Sequence, residues 1–387
     1  MKIKSEMLKE GTRYSAPVFF DDGENMFLAA NKKIKKHHLD IIKRWEVPFL
    51  LTEGYELAES EEKTVEKTYG ETELETLKKV DNTDEKTPYP IPYMVAIKTV
   101  EAVFASWRNE QKIEKSSIDE AIEKLYQFIE EDKFVGLRLV IGERPTADSY
   151  AVAAVNIAIL STVMAMELMY SKKEIQSLIA AAFLHDVAMQ DVPEQILDKK
   201  GALTAEEFEQ LKMHTHKSSM YAENVLLYSR EISLIIEQHH ERWDGKGYPE
   251  GKKETEINKY ARILSVAEAF DAMISKKTYR NSVSAYEAVK NLLRDKQKRF
   301  DSAVLKVFIK CIGVYPVGSY VLLNDSSVAV VVQSVTNAPF MPKIKIIIPS
   351  DSAKAKNTHA VRLEEQTSLF IVRDLTAEEV SLAKKQR

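Results

Sequence analysis

Apolar positions recur with two different periods along this chain, and the change from one to the other divides it into parts. Over residues 1–55 the runs APVFF (16–20) and VPFLL (47–51) are dense in β-formers and are separated by the turn signal DDGEN. They predict short strands around a helical patch at HHLDIIKRW, a small β-rich accessory module. Residues 56–90 lose their large apolar side chains and gain acidic ones ahead of Pro88 and Pro90, the composition of an acidic linker. From 91 to 312 apolar residues return every three or four positions, in AIEKLYQFIEE, VNIAILSTVMAMELM, IQSLIAAAFL and YARILSVAEAFDAMI, which predicts helices nearly throughout. Within that stretch Thr204 and Glu207 have the spacing of a capping box, so a helix should begin there and carry His214. Beyond Gly313 the runs VGSYVLL, VAVVVQSV and KIKIIIP restore the strand pattern, predicting a C-terminal β module over 313–375 and a short tail at 376–387. The expected fold is mainly α, a helical domain flanked by two small β modules.

Composition narrows the partners. With 44% hydrophobic and 29% charged residues the chain has the balance of a globular protein, and 387 residues are enough for two or three cores. A formal charge of −4 gives no electrostatic basis for binding a nucleic-acid polymer, so any anionic ligand must meet a local basic cluster. The start, MKIKSEMLKEG, lacks the apolar core of a signal peptide, and no stretch is expected to approach the ~20 residues a bilayer span needs, the most apolar run, Ile175–Leu184, being shorter. No membrane partner and a cytoplasmic location are therefore expected. The lone Cys311 lies in the apolar setting FIKCIGV and reads as a small core residue in a reducing compartment.

The chemistry concentrates in one region. Five of the eight histidines fall between 185 and 240, beside carboxylates: His185-Asp186, His214, and His239-His240-Glu241 followed by Asp244. Imidazole nitrogen with carboxylate oxygen suits borderline divalent metals such as iron, manganese, zinc or nickel, among which the sequence does not choose, and a carboxylate can bridge two ions. Neighbouring residues at a helix end point about 100° apart, so a His-Asp or His-His pair can reach one pocket from adjacent directions. His216, two residues from His214, faces the other way and is not expected to ligate. His37, His38 and His359 lie outside the cluster, in settings that favour the surface, and WDGKGYPEG reads as a loop.

Through AAFLHDVAMQDVPEQIL, LTAEEFEQLKMH, HHERWDGKGYPEG and ARILSVAEAFDAMISKKTYR, over roughly 140–335, the chain resembles the HD-GYP proteins, a branch of the HD phosphohydrolase superfamily. The resemblance implies an all-α domain with a centre of two or three metals that hydrolyses cyclic di-GMP to linear pGpG or GMP. Position by position it makes His185, Asp186, His214, His239 and His240 metal ligands, with Asp186 the catalytic bridge. Glu268 stands where the family usually has an aspartate ligand, and Asp271, one turn later, is a candidate to orient it and assist catalysis. Tyr248, Lys277 and Arg280 match substrate-contacting positions, and the loop bearing Tyr248 is a candidate contact for a diguanylate cyclase domain; a homodimer is also compatible.

The match has gaps. Ala153 occupies the place of another ligand histidine, Met189 that of a lysine after the HD pair, and Ser149 that of a glutamate supporting a third metal, which leaves two divalent ions as the expected content. Asp148 is a poor replacement, because five positions from Ala153 puts it on another helical face. A phosphodiesterase is the leading expectation. The alternative is an impaired domain that serves as a cyclic di-GMP receptor or protein-interaction module.

Overall fold

A computed structural model describes the chain except for residues 1, 21–25, 29–31, 35, 45–46, 58–88, 110–112, 143–144, 146–148, 200, 276–282, 296–297, 336–337, 351–359, 367, 377–378, 381 and 384–387. Most of the segment expected as an acidic linker, and Asp148, Lys277, Arg280 and His359, lie outside the described residues, as do the side chains of His37 and Ser149. The chain forms two compact units, Met1–Ile91 and Pro92–Arg387.

In the first unit β1 (Lys2–Lys4), β2 (Arg13–Tyr14), β3 (Val18–Phe19), β4 (Met26–Leu28), α1 (Lys36–Arg44), β5 (Phe49–Thr52) and β6 (Glu56–Leu57) follow in order. The antiparallel sheet runs β1-β5-β3-β4, and β2 pairs with β6. Alternation sets its register: Ile3 is buried between exposed Lys2 and Lys4 and sits opposite Leu50, which is itself fully buried. His38, expected on the surface, is instead buried with its ring edge-on to Phe27, 5.6 Å between centroids. An imidazole supplies enough apolar ring surface to close a small core.

The second unit is helical up to residue 312: α2 (Ile91–Asn109), α3 (Lys115–Glu131), α4 (Lys133–Ile141), α5 (Ser149–Glu167), α6 (Lys172–Leu184), α7 (Glu194–Leu197), α8 (Ala205–Met220), α9 (Arg230–Gln238), α10 (Lys259–Ile274), α11 (Ala285–Arg294) and α12 (Ser302–Ile312). A mainly α fold with strand-rich ends is what the periodicity predicts. α3 buries Ile118, Ile122, Leu125 and Ile129, one stripe at helical spacing, and leaves its charges outside. α5 is apolar all round because it is the central helix, packed against α6, α10 and α4. Its window Tyr150–Glu167, with mean hydropathy 1.6, is long and apolar enough to cross a membrane, which corrects the expectation that no stretch approaches that length. The fold buries 78% of that window, so its composition is that of a core helix.

After α12 the strands β7 (Tyr320–Leu323), β8 (Val328–Gln333), β9 (Lys343–Ile348), β10 (Ala360–Arg362) and β11 (Ile371–Leu375) form an antiparallel sheet of order β10-β9-β8-β7-β11. It continues directly from the helices: Ser334 Oγ donates to the Cys311 carbonyl at 3.0 Å. Cys311 is a buried free thiol, and burial pushes its pKa up to about 12, so it stays protonated.

One surface network fixes the helices that carry the site. α6 opens with the capping box Ser171/Glu174, and the same Glu174 carboxylate accepts from the Tyr260 hydroxyl at 2.5 Å and from Lys259 at 3.2 Å on α10. The Tyr260 bond first, then Ser171 and Lys259, hold the Glu174 carboxyl down to about 2 from an ordinary 4.5. A depressed folded-state pKa contributes stability that is present above about 4.5 and lost as pH falls towards about 2. Glu174→Gln should therefore melt below the wild type at pH 6, with the gap closing as the buffer is taken down to pH ~2.5. A gap that stays constant across that range would place the effect in lost packing.

Candidate metal centre

The site is built at helix ends. The last carbonyls of a helix have no intrahelical partner, and two histidines use them. His185, at the end of α6, places Nδ1 2.8 Å from the Ala182 carbonyl, and His239, at the end of α9, places Nδ1 2.5 Å from that of Ile236. His214, inside α8, makes the same contact to Leu211 at 2.6 Å. A ring nitrogen at that distance from a carbonyl oxygen must carry the proton, so each neutral imidazole presents Nε2 as a bare lone pair. This is the tautomer a metal ligand requires, fixed by the backbone.

Those lone pairs converge. His214 Nε2 lies 3.5 Å from His239 Nε2, and Asp186 reaches both sides of the cluster, Oδ1 at 3.4 Å from His214 Nε2 and Oδ2 at 3.5 Å from His185 Nε2. His240 Nε2 stands 3.7 Å from Glu268 Oε1 on α10. Two donor groups result, His214 with His239 and His240, and His185 with His239 and Glu268, each with its ligand atoms within 4.8 Å of one another. His239 belongs to both but has one free nitrogen, so it can serve one ion at a time. Asp186, with one oxygen towards His185 and the other towards His214, can join the groups, and Glu268 also faces both through His240.

Burial, followed by mutual repulsion among the rings, holds His239 and His240 well below the ordinary imidazole range, His240 down to about 3; burial also lowers His214. The His214, His239 and His240 rings are therefore neutral at pH 7. Neutral lone pairs 3.5 Å apart with no proton between them repel, and His185 Nε2 is buried without a hydrogen-bond partner. A divalent cation satisfies both, so the donor set fits a metal.

The loop after His240 closes one side. Gly247 has no tolerance for a side chain: a Cβ there would meet Arg242 N at 2.4 Å and the His240 carbonyl at 2.5 Å. That approach lets Tyr248 N bond the His240 carbonyl at 3.2 Å and lays the Tyr248 ring 4.7 Å from the His240 ring. Burial, then the Glu268 and Asp186 carboxylates, raise the Tyr248 hydroxyl far above its usual value, so it remains a proton donor. Glu241, adjacent to the histidines in sequence, turns away from them and accepts from Glu250 N at 2.8 Å, while Asp244 pairs with Arg242 at 2.9 Å. Both carboxylates shape the loop. His216 is exposed and pairs with Glu237 at 3.2 Å.

Asp271 is in neither donor group. It is buried and accepts from Asn156 Nδ2 at 3.1 Å and from Ser275 Oγ at 3.1 Å, and Asn156 Oδ1 in turn accepts from the Tyr93 hydroxyl at 2.9 Å. Sequence reading missed Tyr93 and Asn156, although a lone Asn inside the apolar run VNIAIL was the available signal. Asp271→Ala should cost about 1–3 kcal/mol, because it strands a buried amide donor, and Asp271→Asn less; denaturant midpoints would measure both. Ala153, half-buried on α5, offers only a methyl group, and Met189 lies half-buried in the tight turn Val187–Asp191.

Residues 138–304 match the HD domain family, and residues 320–383 match the KOW domain associated with HD domain. The chain is 32% identical over 242 residues to the cyclic di-GMP phosphodiesterase PdeB of Borreliella burgdorferi, covering 62% of this chain and 64% of that one. It is 30% identical over 212 residues to the cyclic di-GMP phosphodiesterase PA4108 of Pseudomonas aeruginosa, covering 54% and 50%. A cyclic di-GMP phosphodiesterase of Thermotoga maritima is 39% identical over 155 residues, covering 39% and 41%. The chain thus spans less than two thirds of the length of each relative. Histidine and carboxylate donors thus converge from four helices or their ends within the segment that matches the HD domain family, in a chain similar to proteins named cyclic di-GMP phosphodiesterases.

Proposed function

We propose that this chain is a metal-dependent phosphodiesterase that opens cyclic di-GMP to linear pGpG or carries it on to GMP. The observation that carries the reading is the set of Nε2 lone pairs and carboxylates gathered around Asp186, in a region similar to enzymes named for this activity. Two divalent ions, iron or manganese ahead of zinc or nickel, would supply Lewis acidity to the phosphate and bring a bound water towards a pKa of about 7. His185 and Glu268 would hold one ion and His214 and His239 the other, with Asp186 shared and His240 completing the set. Tyr248, held protonated beside His240, donates towards substrate oxygens. Lys277 and Arg280 carry phosphate charge, and Asp271 positions α10. The outer rim of the loop at Glu250 and Gly251, exposed to solvent, is the surface for a diguanylate cyclase domain or a second copy of the chain. Residues 1–55 act as the input module, joined to the helical region through 56–90.

Elemental analysis of anaerobically purified protein, paired with a turnover assay on cyclic di-GMP, tests this. About two ions per chain and release of pGpG or GMP are expected. Less than one ion per chain, with cyclic di-GMP left intact in added iron or manganese, would refute the reading; tight binding without turnover would make the chain a receptor.

A further inference from the structure

We infer that a cavity of about 210 Å³ that shares the His214 wall with the donor groups receives a guanine base of the substrate. The inference rests on the phosphodiesterase reading above. The cavity lies between the segment 188–193 and α8, and His214 forms part of its wall, so a base lodged there adjoins the histidine cluster. Drug-sized ligands occupy about 300–1,000 Å³, so this space suits a single base with the rest of the dinucleotide outside.

Its lining has the two components that base recognition needs. Val192, Pro193 and Met213 give apolar surface for the faces of a flat ring, and Met adapts to an irregular outline. Gln210, Asp191 and Lys217 supply polar groups for its edge. Lys217 Nζ and Asp191 Oδ2 are 2.6 Å apart, and the Trp107 indole N–H donates to Asp191 Oδ1 at 2.7 Å, fixing the carboxylate in orientation. An ammonium beside a fixed carboxylate presents a donor next to an acceptor. Guanine carries the complement, O6 as acceptor next to N1–H and N2–H₂ as donors, and can place two donors on one carboxylate. Adenine has a single donor beside a single acceptor and makes one charge-assisted bond fewer. A hydrogen bond to a charged group corresponds to roughly ten- to hundred-fold in affinity.

The test is binding of cyclic di-GMP and cyclic di-AMP to full-length, chelator-treated protein by calorimetry, with KM and kcat measured on the metal-loaded protein. Asp191→Asn should weaken cyclic di-GMP binding and raise its KM by roughly ten- to hundred-fold, with kcat within about threefold, and leave cyclic di-AMP nearly unchanged. Lys217→Met, which leaves the Trp107 contact in place, should also erode the preference for guanine. Unaltered metal content in each variant reports an intact centre. If the wild type cleaves cyclic di-GMP and both variants keep its preference for guanine, the base site is overturned and the activity stands. If the wild type neither binds nor cleaves any cyclic dinucleotide, both readings fall.

Discussion

Asp186→Asn should lose metal and activity together while the metal-free protein melts as before. Asp186 places one carboxylate oxygen 3.5 Å from His185 Nε2 and the other 3.4 Å from His214 Nε2, and asparagine keeps its size while removing the negative charge that a cation between them would need. Changes one layer out from a metal ligand already cost about 10–100-fold, so replacing a residue placed between both groups should lower turnover by more than about 100-fold. Metal that binds only the folded state raises its stability by about 2.7 kcal/mol at a hundred times the dissociation constant. The wild type should therefore show a Tm that climbs with added manganese, and Asp186→Asn should show little climb. His216→Ala is the contrast: that ring is exposed and paired with Glu237 at 3.2 Å, and its loss should stay within about 0.5 kcal/mol with metal content unaltered. An Asp186→Asn protein that keeps its full metal complement would remove Asp186 from the centre.

The pattern of apolar residues made the fold class readable because burial imposes a period on each element: the 118-122-125-129 stripe of α3 and the Ile3 alternation of β1 are direct imprints of which face meets a core. The histidine grouping was readable for a different reason. Imidazoles beside carboxylates in a globular chain are uncommon unless something holds them, and these side chains meet in space. What remained hidden depends on partners distant in sequence. Nothing local distinguishes Glu241, which ties the loop, from the adjacent histidines it might have joined, or tells that Asp271 meets Asn156 from another helix. The burial of His38 follows from Phe27 packing across it. The apolar composition of α5 was legible, but not that the residues interrupting its run, Asn156, Ser161 and Thr162, are fully buried with it.

Phe270→Ala should do the reverse of Asp186→Asn, lowering stability while sparing the chemistry of the donors. Phe270 is fully buried on α10, two residues after Glu268, and its ring meets Phe308 of α12 edge-on at 5.1 Å between centroids. Truncating a buried phenylalanine removes its transfer free energy and leaves a cavity that neighbours fill only in part, a cost of about 3–5 kcal/mol. Some of that comes from the aromatic pair, worth about 0.5–1.5 kcal/mol beyond area. At roughly 2–4 °C per kcal/mol for a unit of this size, the metal-free Tm should fall by roughly 6–20 °C. Val372→Ala, at a position 45% exposed, should shift it by less than about 2 °C. Below its melting transition Phe270→Ala should still bind metal, because the Nδ1 contacts that orient His185, His214 and His239 come from α6, α8 and α9, not from α10. A fall in metal content without a fall in Tm would instead mean that Phe270 acts by holding Glu268 in position, making α10 a part of the centre more than of the core.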